Sequence, residues 1–105
     1  MHLFKFGYLL AEHLIKLGCR HLNFIARPYS APTVDGRIAG VREALVRYRL
    51  EMDPQWLRLG DPGDARFVRR ALAGKQADAF ICANDYTAAV LLRTLEAAGV
   101  KVSNP

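Results

Sequence analysis

Short, almost wholly apolar runs alternate along this chain with longer segments in which apolar residues recur every three or four positions. The runs at 22–26, 55–59 and 79–83 have the length of buried strands, and polar, glycine or proline residues bound them. The longer segments have the period of amphipathic helices. The pattern therefore predicts strands of a buried sheet that are separated by helices.

The predicted helices cover about 6–17, about 35–49, 62–73 and 84–98. Glycines that favour a helix end follow the first, third and last of them: Gly18, Gly74 and Gly99. Thr33 or Asp35 is a candidate cap of the second helix, and Asp61 followed by Pro62 predicts the start of the third. The inward stripe expected on the first helix is Phe6, Leu10, Ala11, Leu14 and Leu17.

Residues 100–102 resemble the start of a fourth strand. A regular alternation of helix and strand predicts a parallel-sheet, three-layer (Rossmann-like) α/β fold. Right-handed crossovers then bring the polar loops after the strands to one edge of the sheet. These loops are 27–33, 60–61 and 84–85.

The loop after the third predicted strand contains Asn84 and Asp85, and Arg37 lies close behind the loop after the first. Their side chains make directed hydrogen bonds suited to sugar hydroxyls or a purine edge, so we expect a small-molecule site. A cation in the first turn of a helix also opposes the helix dipole, which favours a functional role for Arg37. A structural alternative is that Arg37 pairs with Asp35 or Asp61.

The middle of the last predicted helix is apolar on more than one side. A helix that packs on one sheet needs only one apolar stripe, so a second partner is expected. We interpret Leu91, Leu92 and Leu95 as residues of a subunit interface in a homodimer.

The charge of +5 comes mostly from scattered arginines, which favours solvated helix faces over a nucleic-acid surface. No apolar run is long enough to span a membrane and no leader is visible, so a cytoplasmic protein is expected. Cys19 and Cys82 follow no metal spacing, and no phosphate-loop, dinucleotide or nucleophile-elbow motif is present. The sequence therefore predicts no metal, no cofactor and no enzyme.

Five runs, taken in order, resemble the LacI/GalR family of sugar-responsive transcription regulators. They are AEHLIKLGCR at 11–20, RIAGVREAL at 37–45, GD at 60–61, AFICANDYTA at 79–88 and GVKV at 99–102. They are similar to the family patterns A-x-x-L-x-x-x-G-H-R, R-x-x-G-F-x-x-A-L, G-D, A-I-x-x-x-N-D-x-x-A and G-x-x-V-P. The resemblance extends over nearly the whole chain.

The resemblance implies that residues 1–105 form most of one subdomain, the C-terminal one, of a periplasmic-binding-protein-like type I effector domain. It implies that Arg37 contacts the effector, that Asn84 and Asp85 lie at or beside it, and that Thr33 contacts it in some members. It also implies a dimer, with operator DNA bound only through an N-terminal domain that this sequence does not contain. The expected function is effector sensing and dimerisation in a transcription regulator.

The sequence departs from the family at Cys19, Pro62 and Ser103, where His, an aromatic residue and Pro are common. Two other interpretations stay open. One is a fragment of a periplasmic sugar-binding protein, which has similar architecture. The other is a receiver-type domain with Asp85 as phosphoacceptor, although Ala26 and Arg27 stand where an acidic pair is expected.

Overall fold

The computed structural model describes residues 3–28, 32–73 and 77–102, without the side chains at 3, 32 and 33. Helices and strands alternate throughout this part of the chain. In order they are α1 (Leu3–Lys16), β1 (Leu22–Ala26), α2 (Pro32–Arg47), β2 (Leu57–Leu59), α3 (Ala65–Ala73), β3 (Ala79–Cys82) and α4 (Asp85–Ala97).

The strands form a parallel sheet in the order β2-β1-β3, so β1 is central. Phe24 of β1 lies opposite Leu57 on one side and Ile81 on the other. Every residue of β1 is buried, as expected for a strand that is covered on both faces. The predicted parallel α/β sheet is confirmed.

Helices α1 and α2 cover one face of this sheet. Their core combines even-numbered residues of β1 with odd-numbered residues of β3, because successive strand residues point to opposite faces. The buried members are Ala11, Leu14, Ile15, Leu22, Phe24, Ala26, Val34, Ile38, Val41, Ala44, Leu45, Trp56, Ile81 and Ala83. This face therefore holds the larger apolar core.

Helices α3 and α4 cover the other face with a smaller cluster. Its buried members are Ile25, Phe67, Val68, Ala71, Leu91 and Leu95. Asn23 is on the same face as Ile25 and is also buried, where its Oδ1 accepts a 2.6 Å hydrogen bond from Nε of the buried Arg58. Helices on both faces of a parallel sheet confirm the three-layer prediction.

The inward stripe predicted for α1 is partly wrong. Ala11 and Leu14 are buried, but Phe6, Leu10 and Leu17 are exposed. The cause is the close crossing of α1 and α2 at Gly7, where an added Cβ would lie 2.3 Å from the Arg37 carbonyl oxygen. This contact turns the face with the smallest side chains toward α2.

Two predicted helix starts are also corrected. Helix α2 begins at Pro32, so Thr33 and Asp35 lie inside it and Arg37 is in its second turn. Helix α3 begins at Ala65 instead of Pro62, because the carbonyl and carboxylate of Asp64 accept the first helical N–H bonds, from Val68 and Arg66.

The ends of α1 and α4 agree with the predictions, since Gly18 and Gly99 have the positive φ angles that favour glycine there. Gly74 lies outside the described residues. Residues 100–102 form no strand, which corrects that prediction. Val100 instead packs beside the α3–α4 core, and its N–H bonds the Leu95 carbonyl oxygen at 2.9 Å.

Candidate ligand-binding edge

Backbone hydrogen bonds join the carboxyl ends of the three strands. The N–H of Gly60 donates to the Ala26 carbonyl oxygen at 2.9 Å, and that of Ala83 donates to the Ile25 carbonyl oxygen at 3.0 Å. The residues after each strand are therefore brought to one edge, where open α/β sheets bind ligands. We call Arg27, Gly60, Asp61, Ala83, Asn84, Asp85 and Tyr86 the carboxyl edge.

Arg37 reaches this edge from the second turn of α2. Its Nη1 donates a hydrogen bond to the Ala83 carbonyl oxygen, and its Cζ lies 5.5 Å from the centroid of the Phe6 ring. Its Nε is buried and has no hydrogen-bond partner in the described part of the chain. The alternative that Arg37 pairs with Asp35 or Asp61 is not supported by the described residues, because Asp61 pairs with Arg27.

Asn84 and Asp85 are both at the edge but have different local roles. The Asn84 Oδ1 accepts a 2.8 Å hydrogen bond from the N–H of Thr87 and so caps α4. Asp85 is the first residue of α4, is exposed, and has a charge that the helix dipole favours at that end. The side chain of Thr33 lies outside the described residues.

A second group at the edge joins residues from three strand ends. Arg27, after β1, lies 3.4 Å from Asp61 Oδ1, after β2. The guanidinium Cζ of Arg27 is also 5.7 Å from the centroid of the Tyr86 ring, after β3. Sequence reasoning placed Arg27 and Asp61 in polar loops at this edge but missed Tyr86, whose only signal is its position two residues after Asn84.

With Arg37 and the Phe6 ring beside it, the carboxyl edge combines two guanidinium groups, two carboxylates, an amide and two aromatic rings. A guanidinium group only donates hydrogen bonds and a carboxylate only accepts them, so a ligand with both kinds of group fits better than a simple ion. Rings beside fixed polar groups are typical of small-molecule sites. The arrangement can bind and orient a small polar molecule.

The predicted interface leucines divide into two groups. Leu91 and Leu95 are buried in the core between α4 and the sheet and present little surface to a second subunit, so their part in an interface stays a prediction. Leu92 is 38% exposed and lines the depression that contains Val100. Most of the apolar residues around α4 therefore pack against the sheet and α3 of the same chain.

The described residues contain no cluster of three or more His, Cys, Asp or Glu that could hold a metal ion. Cys82 is partly buried in β3, where burial raises the pKa of its thiol to about 11. A thiol with so high a pKa is a weak nucleophile at neutral pH. This agrees with a packing role for Cys82.

Two shallow depressions lie away from the carboxyl edge. One is at the opposite edge of the sheet and is lined by Ile15, Arg20, His21, Tyr48, Arg49, Leu50 and Glu51. The other is lined by Leu92, Glu96, Gly99, Val100, Lys101 and Val102. Neither contains a residue predicted to bind a ligand.

In the described ranges, no helix has the length and apolar character needed to cross a bilayer.

Two curated regulators are similar to the chain over most of its length. It is 30% identical over 97 residues to catabolite control protein A of Staphylococcus xylosus, and 29% identical over 102 residues to the HTH-type transcriptional repressor PurR of Aliivibrio fischeri. The matches cover 90% and 91% of the chain. The chain spans about 30% of the length of each of these relatives.

Solved structures agree with this result. A LacI-family regulator of Enterococcus faecium with bound ribose has a TM-score of 0.79 at 27% identity, covering 97% of this chain and 39% of its own. A sugar-binding LacI-family regulator of Escherichia coli, at 23% identity, has a TM-score of 0.83 over 96% of this chain and 38% of its own, and supports the fold alone.

These relatives confirm the predicted resemblance to LacI-family regulators and are not periplasmic binding proteins or receiver domains. The family model described as a periplasmic binding protein-like domain matches residues 11–103. Because that match covers most of the sequence, the chain belongs to the periplasmic binding protein-like domain family.

Proposed function

We propose that this chain is the effector-sensing and dimerisation part of a LacI-type transcription regulator, and that its effector is a sugar or a related small molecule. The observation that carries the proposal is the position of Arg37. Its guanidinium reaches the carboxyl edge, is tied to the Ala83 carbonyl oxygen, and has a buried Nε without a hydrogen-bond partner in the described residues.

The relatives support the same proposal. Each curated match is named as a regulator or repressor, and one similar structure contains bound ribose. In this proposal the chain supplies one wall of a cleft, and a second subdomain outside these residues supplies the other. Ligand binding changes how the two walls are oriented, and a dimer transmits the change to DNA-binding domains. In this proposal the regulator acts on DNA, performs no catalysis and is located in the cytoplasm.

The binding site is tested by thermal unfolding of the regulator that carries both walls of the cleft, with D-ribose, other monosaccharides and purines. A ligand at 100 times its Kd adds about 2.7 kcal/mol to the free energy of unfolding. Arg37→Lys keeps the charge but loses the planar guanidinium with its several donors, so it should abolish this stabilisation by the ligand. Arg42→Lys is the matched control, because Arg42 lies on the same helix with its Cζ over Trp56, 5.5 Å from the ring centroid.

A ligand that stabilises this two-walled regulator and its Arg42→Lys variant equally, but not its Arg37→Lys variant, supports the proposal. Equal stabilisation of all three proteins would place the binding site elsewhere. Absence of stabilisation of the regulator that carries both walls by any sugar or purine would contradict effector sensing at this site.

We propose that Leu92 is the interface residue of the predicted homodimer. It is exposed beside Val102, which is 46% exposed, in the depression after α4. Leu92→Arg should therefore shift the chain from dimer to monomer in sedimentation equilibrium. Val46→Arg, at an exposed apolar residue of α2, is the matched control and should leave the dimer intact. A monomeric parent chain, or a dimer that survives Leu92→Arg, would contradict this assignment.

A further inference from the structure

Helix α1 has a row of exposed residues on the side opposite its contacts with α2 and the sheet. The members of this row are spaced by four, three and four positions, and all are exposed: Phe6, Leu10, His13 and Leu17. The helical bonding extends to Leu17, whose N–H bonds the His13 carbonyl oxygen at 3.1 Å. These residues therefore share one side of the helix, which we call the α1 seam.

The α1 seam is apolar at three of its four positions. The exposed fractions are 50% for Phe6, 37% for Leu10 and 57% for Leu17, although the Arg37 guanidinium lies near the Phe6 ring. A single exposed apolar residue is common on a protein surface and needs no partner. A helix that is apolar on two opposite sides, in contrast, needs a partner on each of them.

The spacing of the α1 seam indicates that its partner is another helix. Alternating steps of three and four residues are the heptad pattern, in which side chains of one helix enter the gaps between side chains of the facing helix. An extended strand that pairs with a sheet edge would present every second residue instead. The α1 seam therefore fits a helix with an apolar row of its own.

We propose that the α1 seam binds the α1 seam of a second copy of this chain, with the two helices antiparallel. A two-fold axis midway along the row then places Phe6 against the second copy's Leu17, and Leu10 against the second copy's His13. Each contact occurs twice, so every residue of the α1 seam has a partner. The proposal goes beyond effector sensing and does not depend on it.

The charges beside the α1 seam favour the antiparallel arrangement. Lys5 is exposed in the first half of α1 and would lie beside the end of the second helix, where the helix dipole attracts a cation. Lys16 is compensated within its own helix, because its Nζ lies 3.9 Å from Glu12 Oε1. A parallel pair would instead place equal charges and equal helix ends side by side.

The exposed area indicates how strong the contact is. Aromatic side chains bury about 150–250 Å² each, so the exposed parts of the three apolar residues amount to roughly 250 Å² in each copy. This is well below the area of a standard interface, and we expect a Kd on the order of 100 µM to 1 mM. Because α1 and α4 cover opposite faces of the sheet, the contact is compatible with the one proposed at Leu92.

NMR on the 105-residue Leu92→Arg chain tests the α1 seam, because this variant removes the contact proposed for α4. As its concentration rises from about 20 µM to about 1 mM, translational diffusion should slow and the amide shifts of residues 6–17 should change. At the lower concentration the expected species is the monomer. Leu10→Glu and Leu17→Glu place a carboxylate in the apolar contact and should each raise the Kd about tenfold or more. Leu59→Glu is the matched control, at a leucine of β2 that is 53% exposed.

Contacts between copies test the antiparallel arrangement. Phe6 and Leu17 are eleven residues apart in the sequence, which is about 16 Å along a helix. A nuclear Overhauser effect between the Phe6 ring and a Leu17 methyl group can therefore arise only between two copies. A mixture of isotope-labelled and unlabelled chains at about 1 mM should show this effect.

Association that both seam variants abolish and Leu59→Glu retains, together with the Phe6–Leu17 contact, supports the proposal. A Leu92→Arg chain that stays monomeric at about 1 mM would overturn the second copy as the partner and assign the α1 seam to a different helix. Association that survives Leu10→Glu and Leu17→Glu would place the contact elsewhere and overturn the proposal. Contacts between equivalent residues of the two copies, in place of Phe6 with Leu17, would overturn the antiparallel arrangement.

Discussion

On one face of the sheet, α1 and α2 cross so closely that glycine replaces larger side chains at the contact, whereas on the other face α3 and α4 pack through large side chains. A Cβ added at Gly40 would lie 2.0 Å from the Phe4 carbonyl oxygen, which is backbone. A Cβ added at Gly60, beneath α3, would instead meet the Phe67 ring at 2.3 Å. An added methyl group at Gly40 can therefore be accommodated only if α1 moves, whereas one at Gly60 requires only a shift of the Phe67 ring.

The two layers also differ in polarity. The described core under α1 and α2 consists of apolar residues, while the face under α3 and α4 also buries Asn23 and Arg58. Burial of apolar surface stabilises the folded state in proportion to the area removed from water. A buried charge, in contrast, must be paired to avoid a large desolvation penalty. We therefore expect the α1–α2 layer to dominate stability and the α3–α4 layer to be the more adaptable part of the molecule.

Matched leucines test this difference most strongly. Leu45 of α2 and Leu95 of α4 are both buried, with 2% and 4% exposure. Leu45→Ala should cost about 4 kcal/mol of unfolding free energy, since the closely crossed helices cannot collapse into the cavity, and Leu95→Ala about 2–3 kcal/mol. Urea unfolding of the two variants gives both values. Equal losses, or a larger loss for Leu95→Ala, would contradict the comparison.

The two glycines provide the next test. Gly40→Ala should destabilise by about 3 kcal/mol because the new methyl group meets the backbone of α1, and Gly60→Ala by about 1 kcal/mol because the Phe67 ring can shift. Thermal unfolding of both variants measures the difference. The assigned helix crossing is wrong if Gly40→Ala is as stable as the parent chain.

The buried polar group on the second face provides the third test. In Asn23→Ala, Arg58 Nε loses its 2.6 Å hydrogen bond while Asp53 Oδ2 remains 3.6 Å from Nη2. The expected loss is about 2 kcal/mol, because one donor of a buried cation is left unpaired. Arg58→Met removes the charge but keeps most of the apolar stem, and should cost less. If denaturant unfolding shows a larger loss of unfolding free energy for Arg58→Met than for Asn23→Ala, the assigned role of the Asn23–Arg58 hydrogen bond is contradicted.

Alkaline pH should produce the smallest effect, at the contact between α1 and α2. The Tyr48 hydroxyl donates a hydrogen bond to Glu12 Oε2, and this bond raises the pKa of Tyr48 to about 12. The folded pKa exceeds the ordinary value of about 10, so the stabilisation is complete below pH 10 and is lost as pH rises toward 12. The stability difference between the parent chain and Tyr48→Phe should therefore shrink over this range in urea titrations. A difference that stays constant would contradict the bond.

The local features of the fold could be predicted from the sequence. The strands are short apolar runs, the cap of α4 follows from the sequence Asn84-Asp85, and Gly18 and Gly99 end their helices. Each depends on neighbours in the chain. The resemblance of residues 37–45 and 79–88 to known motifs then identified Arg37 and Asn84, which the fold brings to the same edge.

Features that depend on the packing partner could not be predicted. Phe6 and Leu10 match a helical stripe, but the crossing at Gly7 turns both outward. Leu91 and Leu95 have the character of interface residues, yet Ile25 and Phe67 already cover them. The burial of Arg58 could not be predicted either, because the sequence does not show that Asn23 lies beside it. The contact between Arg27 and Tyr86 likewise requires the register of three strands.

The central claim is that the carboxyl edge of the sheet is the ligand-binding edge. Titration with D-ribose of the ¹⁵N-labelled regulator that carries both walls of the cleft, followed by the amide chemical shifts of these residues, tests this claim most directly. If ligand binds at the carboxyl edge, the largest shift changes fall at Arg27, Asp61 and residues 83–86. Changes concentrated at the opposite edge, around Arg20 and Glu51, or in the depression beside Leu92, would contradict it.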